Sequence, residues 1–348
     1  MAKLDEMLAA ALRDLAAEAP ALPPLSPRAR RRIRARRSAA IAASVMVVAA
    51  MSAGVVIGAH ALARPAHPQV SPHHLATAYV PTAYVLGGSG TVTPIRIATN
   101  TALRPIRLGK RRSPCAIAIT PDGKTAYVAS YGPGPAFLGT VTPIRTATNT
   151  ALRPVKVGPG PCAIAITPNG KTAYVVNQPA DTVTPITTAT NTALRPIKVR
   201  QIPAAIAITP DGKTAYTVNF AGRRGVTVTP IRTATNTVLA PVTVGPTFPQ
   251  QLPAIAITPD GSTAYVITNA PGLTHQDAVT PIRTATSTAL PPITVGRGSC
   301  AIAITPDGKT AYVTNMTSGT VTPIRTATNT AQRPIEVGRG PCAMAITR

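Results

Sequence analysis

The side chains able to do chemistry are few and recur at fixed places. Four cysteines, Cys115, Cys162, Cys300 and Cys342, each precede an alternating run of the Ala-Ile-Ala-Ile kind, and Ala204 and Pro253 hold that place in two further copies. An even cysteine count in an exported chain points to disulfides. Spacing argues the other way. Equivalent positions on stacked sheets should lie about 10 Å apart, and a disulfide needs Cα atoms within about 7 Å. A ring of thiolates could hold a soft metal, but small inert side chains buried in tight strands are the better reading. No metal and no other cofactor is expected.

Carboxylates are scarcer still. From residue 64 onward they are Asp122, Asp181, Asp211, Asp260, Asp277, Asp307 and Glu336. Four of them, Asp122, Asp211, Asp260 and Asp307, sit in Pro-Asp-Gly turns, where aspartate bonds its own backbone. Acid–base catalysis needs two placed groups with separated pKa values, and His275 with Asp277 is the sole nearby pair. His67, His73 and His74 lie in a proline-rich stretch without a neighbouring carboxylate or cysteine, which is no preformed metal site. There is no phosphate-binding glycine loop, nucleophile elbow or zinc signature. No catalytic residue is assigned, and the protein is expected not to be an enzyme. With 3% aromatic residues and no Trp, binding of sugars or single-stranded nucleic acid by stacking is disfavoured.

The elements that position these residues come from one repeated unit. Ala116-Ile117-Ala118-Ile119-Thr120 alternates as a strand does, with isoleucine on one face and alanine on the other. Pro121-Asp122-Gly123-Lys124 is a turn. Thr125 to Val128 is a second strand and Thr140 to Arg145 a third. Ala147-Thr148-Asn149-Thr150 turns the chain, and Pro154 to Gly158 is the fourth. The turn glycine recurs at Gly123, Gly170, Gly212, Gly261 and Gly308, a period of 42 to 49 residues, and the third-strand proline at Pro94, Pro143, Pro185, Pro230, Pro281 and Pro323. Four antiparallel strands cannot hide both of their own faces, so such units stack radially. The expected fold is all-β: a β-propeller of six four-stranded blades. The repeats open on a second strand (Thr82 to Val85) and end on a first (Ala343 to Thr347), so pairing of the two ends is expected to close the ring.

The unit resembles the YVTN-type β-propeller repeat. Thr310-Ala311-Tyr312-Val313-Thr314-Asn315 carries the name-giving motif nearly intact, and the likeness runs over about residues 77 to 347. It departs in the third strand, where the family's Val-Ile-Asp is Pro-Ile-Arg or Pro-Ile-Thr. A proline cannot donate to a ladder, so the outer half of each blade should be less regular. The resemblance implies a propeller, and it brings in a lactonase-like hydrolase as one alternative activity. No metal-binding carboxylates match that alternative.

Ahead of the repeats the chain changes character. Residues 4–19 place Leu4, Leu8, Ala11, Leu12 and Leu15 on one helical face. Seven arginines crowd Arg28 to Arg37, and Ala39 to Ala59 is uncharged and apolar, which meets the ~20 residues a spanning helix needs. Arginines on its N-terminal side put the N-terminus in the cytoplasm. The expected organisation is a cytosolic segment (1–37), a single transmembrane helix (38–63), a linker (64–76) and an exported propeller (77–348). A cleaved leader ending near Ala63 is the alternative, giving a secreted protein.

Function is sought where the repeats vary. The turns keep their length, whereas the connections between second and third strands, and those between blades, do not. Both kinds open on one face of a blade, and irregular loops on a rigid scaffold are where binding sits. Lys110, Arg111, Arg112, Tyr131, Phe137, Arg223, Arg224, Phe248 and His275 are the expected ligand contacts. The expected function is a non-enzymatic binding or scaffold module, monomeric, with a protein partner or an anionic envelope polymer. From residue 64 onward 26 basic residues face 7 acidic ones, a balance of +19. That charge favours polyanions through salt-sensitive attraction, so adhesion to envelope polymers is the second reading; DNA is admitted by charge but disfavoured.

Overall fold

The computed structural model describes residues 82–87, 90–109, 111–132, 138–200, 202–220, 225–246, 254–269 and 276–346. The expected cytosolic helix, arginine run, apolar span and linker all lie outside them. Among the described residues no helix is long and apolar enough to cross a membrane.

The alternating runs become six antiparallel sheets, one per repeat. In the third sheet the inner strand Pro161–Ile166 pairs with Thr172–Asn177, and that strand with Thr182–Thr187. The fourth strand is split. Thr192–Ala193 and Ile197–Lys198 both pair with Thr182–Thr187, at its opposite ends. The cause lies in Pro185. Its carbonyl accepts the Leu194 amide at 2.8 Å, so its missing N–H faces the same side, and Pro196 lacks a donor there too. The ladder therefore breaks between the two short pieces. The same carbonyl contact recurs from Pro94 to Pro323, so the irregular outer half expected from the sequence is present in every sheet. Among the described residues five of the sheets thus have five strands by count, where four per blade were expected, and the first sheet has four, with no inner strand beside Thr82–Gly87.

Packing follows the period of two. In the second strand of sheet 2, Tyr127 and Ala129 face forward to Ile164, Ala173, Val175 and Ile186 of sheet 3. The alternate residues Ala126 and Val128 face back to Val92, Ile106 and Leu108 of sheet 1. Each core is thus shared by two neighbouring sheets, and no sheet has a core of its own.

Polar links run alongside. The Tyr84 hydroxyl donates to Asn149 Oδ1 of the next sheet at 2.7 Å. Tyr127 does so to Asn191, Tyr174 to Asn236 and Tyr265 to Asn329, at 2.7, 2.7 and 2.6 Å. These asparagines sit in the left-handed region, with φ of 51°, 53°, 57° and 51° for Asn149, Asn191, Asn236 and Asn329, which asparagine tolerates. Ser287 replaces asparagine in the fifth sheet and bonds Tyr216 in its place, while the Thr284 carbonyl lies 3.1 Å from the Tyr216 hydroxyl, as the Thr188, Thr233 and Thr326 carbonyls lie near the other tyrosines.

Among the described residues the expected closure is not formed. Thr82–Gly87 pairs with Thr91–Arg96 alone among the described strands, and residues 337–346 contain no strand. A disulfide joins Cys342 to Cys300, so the last segment is tied to sheet 6 and not to sheet 1.

Candidate functional site

Each sheet has two ends, and the sequence builds them differently. At one end every Thr-Pro-Asp-Gly turn is the same. The Thr209 hydroxyl donates to Asp211 Oδ1 at 2.6 Å, the Lys213 amide donates to that oxygen at 3.0 Å, and Thr209 Oγ1 accepts the Thr214 amide at 3.1 Å. Gly212, at φ +71°, lies with Pro168 of the previous turn close to where a Cβ would be. Asp211, Asp260 and Asp307 are held below the usual carboxylate range, first by the threonine hydroxyl and then by the backbone amide. At Asp122 burial pulls upward, and the Thr120 hydroxyl with the Lys124 amide outweighs it.

The repeated cations also sit at this uniform end. Lys124, Lys213 and Lys309 lie 3.9, 3.7 and 3.9 Å from the aspartate of their own turn, well exposed, so these pairs contribute little to stability. Arg145, Arg232, Arg283 and Arg325 end the third strands opposite Thr125, Thr214, Thr263 and Thr310, at the same edge and exposed.

At the other end the connections differ from sheet to sheet yet hold one another. Arg112, between sheets 1 and 2, donates through Nη1 to the Leu138 carbonyl at 2.9 Å. Asp181 Oδ1 accepts the Ile202 amide at 2.8 Å, and the Gln178 amide donates to the Gly160 carbonyl at 3.1 Å. The Arg297 amide donates to Ser318 Oγ at 2.8 Å. In each case a connection between sheets meets a connection between second and third strands, so both kinds lie on one face, as the sequence led us to expect. Asp277 accepts the Ser299 amide there. Burial, opposed by the Ser299 contacts and Arg297, leaves its carboxyl above the usual range.

Of the nine expected contacts, three are described. Arg111 is exposed, with φ of 54°; Arg112 clasps Leu138; and Tyr131 pairs in register with Ser113, next to Arg112 in the chain. These three meet at the loop end of sheet 2. Burial, and secondarily Cys115, raises the Tyr131 phenol, which is therefore a neutral donor. Lys110, Phe137, Arg223, Arg224, Phe248 and His275 lie outside the described residues.

Sequence reasoning missed the asparagine of the Tyr-Val-x-Asn motif. Asn177, Asn219 and Asn315 donate through Nδ2 to Thr184, Thr229 and Thr322 Oγ1 at 2.8, 2.9 and 2.9 Å. They brace the start of the third strand beneath the variable connections. A Cβ on Gly158 would lie 2.8 Å from Asn177 Cγ, which explains the glycine after the fourth strand. Gly158 and Gly296 each stand nineteen residues before such an asparagine, Asn177 and Asn315; that spacing was visible in the sequence, but its purpose was not.

The cysteines correct the spacing argument. The inner strands bulge at this place, with register shifts around Cys115, Cys162, Ala204 and Cys300. Cys300 and Cys342 are disulfide-bonded with Cα atoms 5.4 Å apart. The figure of about 10 Å belongs to sheets stacked face to face, whereas radially arranged sheets converge at their inner strands. Cys115 and Cys162 are buried free thiols. Among the described residues no cluster of three or more His, Cys, Asp or Glu is placed to hold a metal.

Comparison with known proteins adds the class. Solved structures of similar fold include hydrazine synthase of Kuenenia stuttgartiensis, at 21% identity over 75% of this chain and 85% of that one, with a TM-score of 0.61. A functionally unknown protein from Desulfotomaculum acetoxidans matches at 19% identity over 76% and 89%, with a TM-score of 0.57. The dihydro-heme d1 dehydrogenase NirN, solved in complex with DHE, matches at 13% identity and a TM-score of 0.56 over 73% of this chain but 54% of that one. At such identities the likeness is one of fold, and the chain is an all-β, β-propeller-like protein. No protein-family model matches it, and no curated protein does.

Proposed function

We propose that this chain is a YVTN-type, six-bladed propeller, anchored by residues 39–59 and exported, that binds a protein partner through its irregular face without catalysis. The meeting of both variable connection types on one end of rigid, mutually buried sheets supports this reading. Arg111, Arg112 and Tyr131 are the contacts at the loop end of sheet 2 in this reading, and Lys110, Phe137, Arg223, Arg224, Phe248 and His275 join them by their place in the sequence.

The test replaces Arg111, Arg223 and Arg224 with Ser in the full chain. Partner crosslinking on intact cells should disappear while stability stays within about 0.5 kcal/mol; undiminished crosslinking rejects the site. Arg112 is left in place because its brace to Leu138 mixes binding with stability.

Adhesion to an anionic envelope polymer is the second reading, favoured by the exposed Lys and Arg repeated along the uniform end. It requires binding that falls steeply with salt and that survives exchange of the variable connections. A lactonase-like hydrolase remains a third; turnover by the purified chain that is lost on metal removal would favour it.

A further inference from the structure

We propose that Cys115 and Cys162 form a second disulfide, equivalent to Cys300–Cys342, which staples sheet 2 to sheet 3 at their inner strands. The place of the bonded pair in the repeat recurs at the free pair: the thiol at this position approaches the carbonyl before the equivalent residue of the next unit, as Cys162 also does at 3.7 Å toward Pro203, where Ala204 follows, and at Cys115 the residue that follows is a cysteine. Cys300 Sγ lies 3.4 Å from the carbonyl oxygen of Pro341, the residue before Cys342. Cys115 Sγ lies 2.6 Å from the carbonyl oxygen of Pro161, the residue before Cys162. Both first cysteines occupy the same bulge, between Pro114 and Ala116 in one case and Ser299 and Ala301 in the other. The bulge turns the thiol toward the next sheet. Cys115 and Cys162 are 2% and 5% exposed, and the Cys115 thiol lies within the electrostatic reach of Cys162. The cysteines thus fall into two adjacent pairs, while the two blades between them carry Ala204 and Pro253 at this place.

The bond forms by thiol–disulfide exchange with a low-molecular-weight disulfide. One protein thiolate attacks that disulfide, forming a mixed disulfide and expelling one thiolate. The second protein thiolate attacks the protein sulfur, closing Cys115–Cys162 and expelling the other. Two electrons pass to the oxidant, and the two thiol protons end on its two thiol products. Burial raises both thiols, Cys162 to about 12, so exchange in the docked sheets is slow. Oxidation therefore precedes docking of the inner strands.

The inference rests on export only for the oxidant met in the cell. Refolding the denatured, reduced full chain in mixed oxidised and reduced glutathione supplies its own, so its outcome is separate from that of the anchor and binding reading. Free thiols are then blocked with N-ethylmaleimide under denaturing conditions, and the unreduced chain is cut with trypsin. The expected product is a linked peptide pair, Ser113–Lys124 with Val157–Lys171, carrying no maleimide. Cys162→Ala should leave Cys115 quantitatively labelled. Maleimide on both Cys115 and Cys162 in wild-type chain overturns the proposal, as does linkage of Cys115 to Cys342. A soft metal held between the two thiols, detected by metal analysis of the refolded protein with both thiols still blockable, overturns it as well.

Discussion

The two ends of the sheets share a chain and a core but differ in how their backbones are held. At the uniform end, each turn is closed by its own residues: Thr209, Asp211 and Thr214 satisfy one another within six positions. At the irregular end, support comes from elsewhere in the chain, as when Asp181 holds Ile202 or Arg112 holds Leu138. A turn that satisfies itself can be copied unchanged. A connection held by a neighbour can change length and sequence as long as one contact survives. That difference, more than composition, lets one end vary while the other stays constant.

The sharpest way to break the contrast is to show that the variable end contains points as rigid as any turn. Gly158→Val would drive a side chain into Asn177, so overpacking should cost about 3 kcal/mol in urea denaturation. A cost near zero would mean that the end yields freely, and the platform for binding would lose its basis. Next comes Thr209→Val, which removes three contacts of a self-closing turn; a loss of about 2 kcal/mol is expected, with partner crosslinking unaltered. Loss of crosslinking would show that the two ends are coupled.

Smaller again is the tyrosine ladder. Tyr174→Phe deletes a donor to Asn236 and should cost about 1 kcal/mol, whereas Tyr216→Phe, facing Ser287, should cost less. Equal losses would mean that the asparagine adds nothing to the link.

The smallest effect has opposite signs at the two ends. Asp211, Asp260 and Asp307 have lowered folded pKa values. Their contribution is complete above the unfolded value and is lost as pH falls through the folded one. Asp277 is raised, so its charged form opposes folding at neutral pH and that penalty disappears as pH falls below its folded value. Acid melting curves should therefore fall less steeply for Asp211→Asn than for wild type. Asp277→Asn should gain stability at neutral pH, and the gain should vanish in acid. A neutral-pH loss for Asp277→Asn would reverse the assignment.

The first three strands of each unit and its turns were legible because alternation and Pro-Asp-Gly act locally. The weakness of the fourth strand was legible from Pro185, though not its division into two pieces, which needed Pro196 opposite. The reach of the cysteines was not legible. Alternation fixes which face a residue takes but not how far it lies from the centre of a radial array, and a bulge at Cys300 re-aims the side chain without any mark in the pattern. Tyr127 was readable as core, but not its hydroxyl's partner, because Asn191 lies in a turn whose asparagine is sufficiently explained by its positive φ. Of the expected contacts, Arg111, Arg112 and Tyr131 were found together because they flank strand ends that the repeat locates.

The tyrosine–asparagine ladder also has a direction. In four of the joints one unit offers a hydroxyl to the unit after it, which answers with an amide oxygen, so those units fit by the same rule. The copy number is then not written in any single unit. A duplication or loss of one whole unit would leave all remaining links satisfied, and lineages could gain or shed units without inventing a new joint. Ser287 marks the joint where that grammar is spelled differently, with a hydroxyl in place of the amide oxygen.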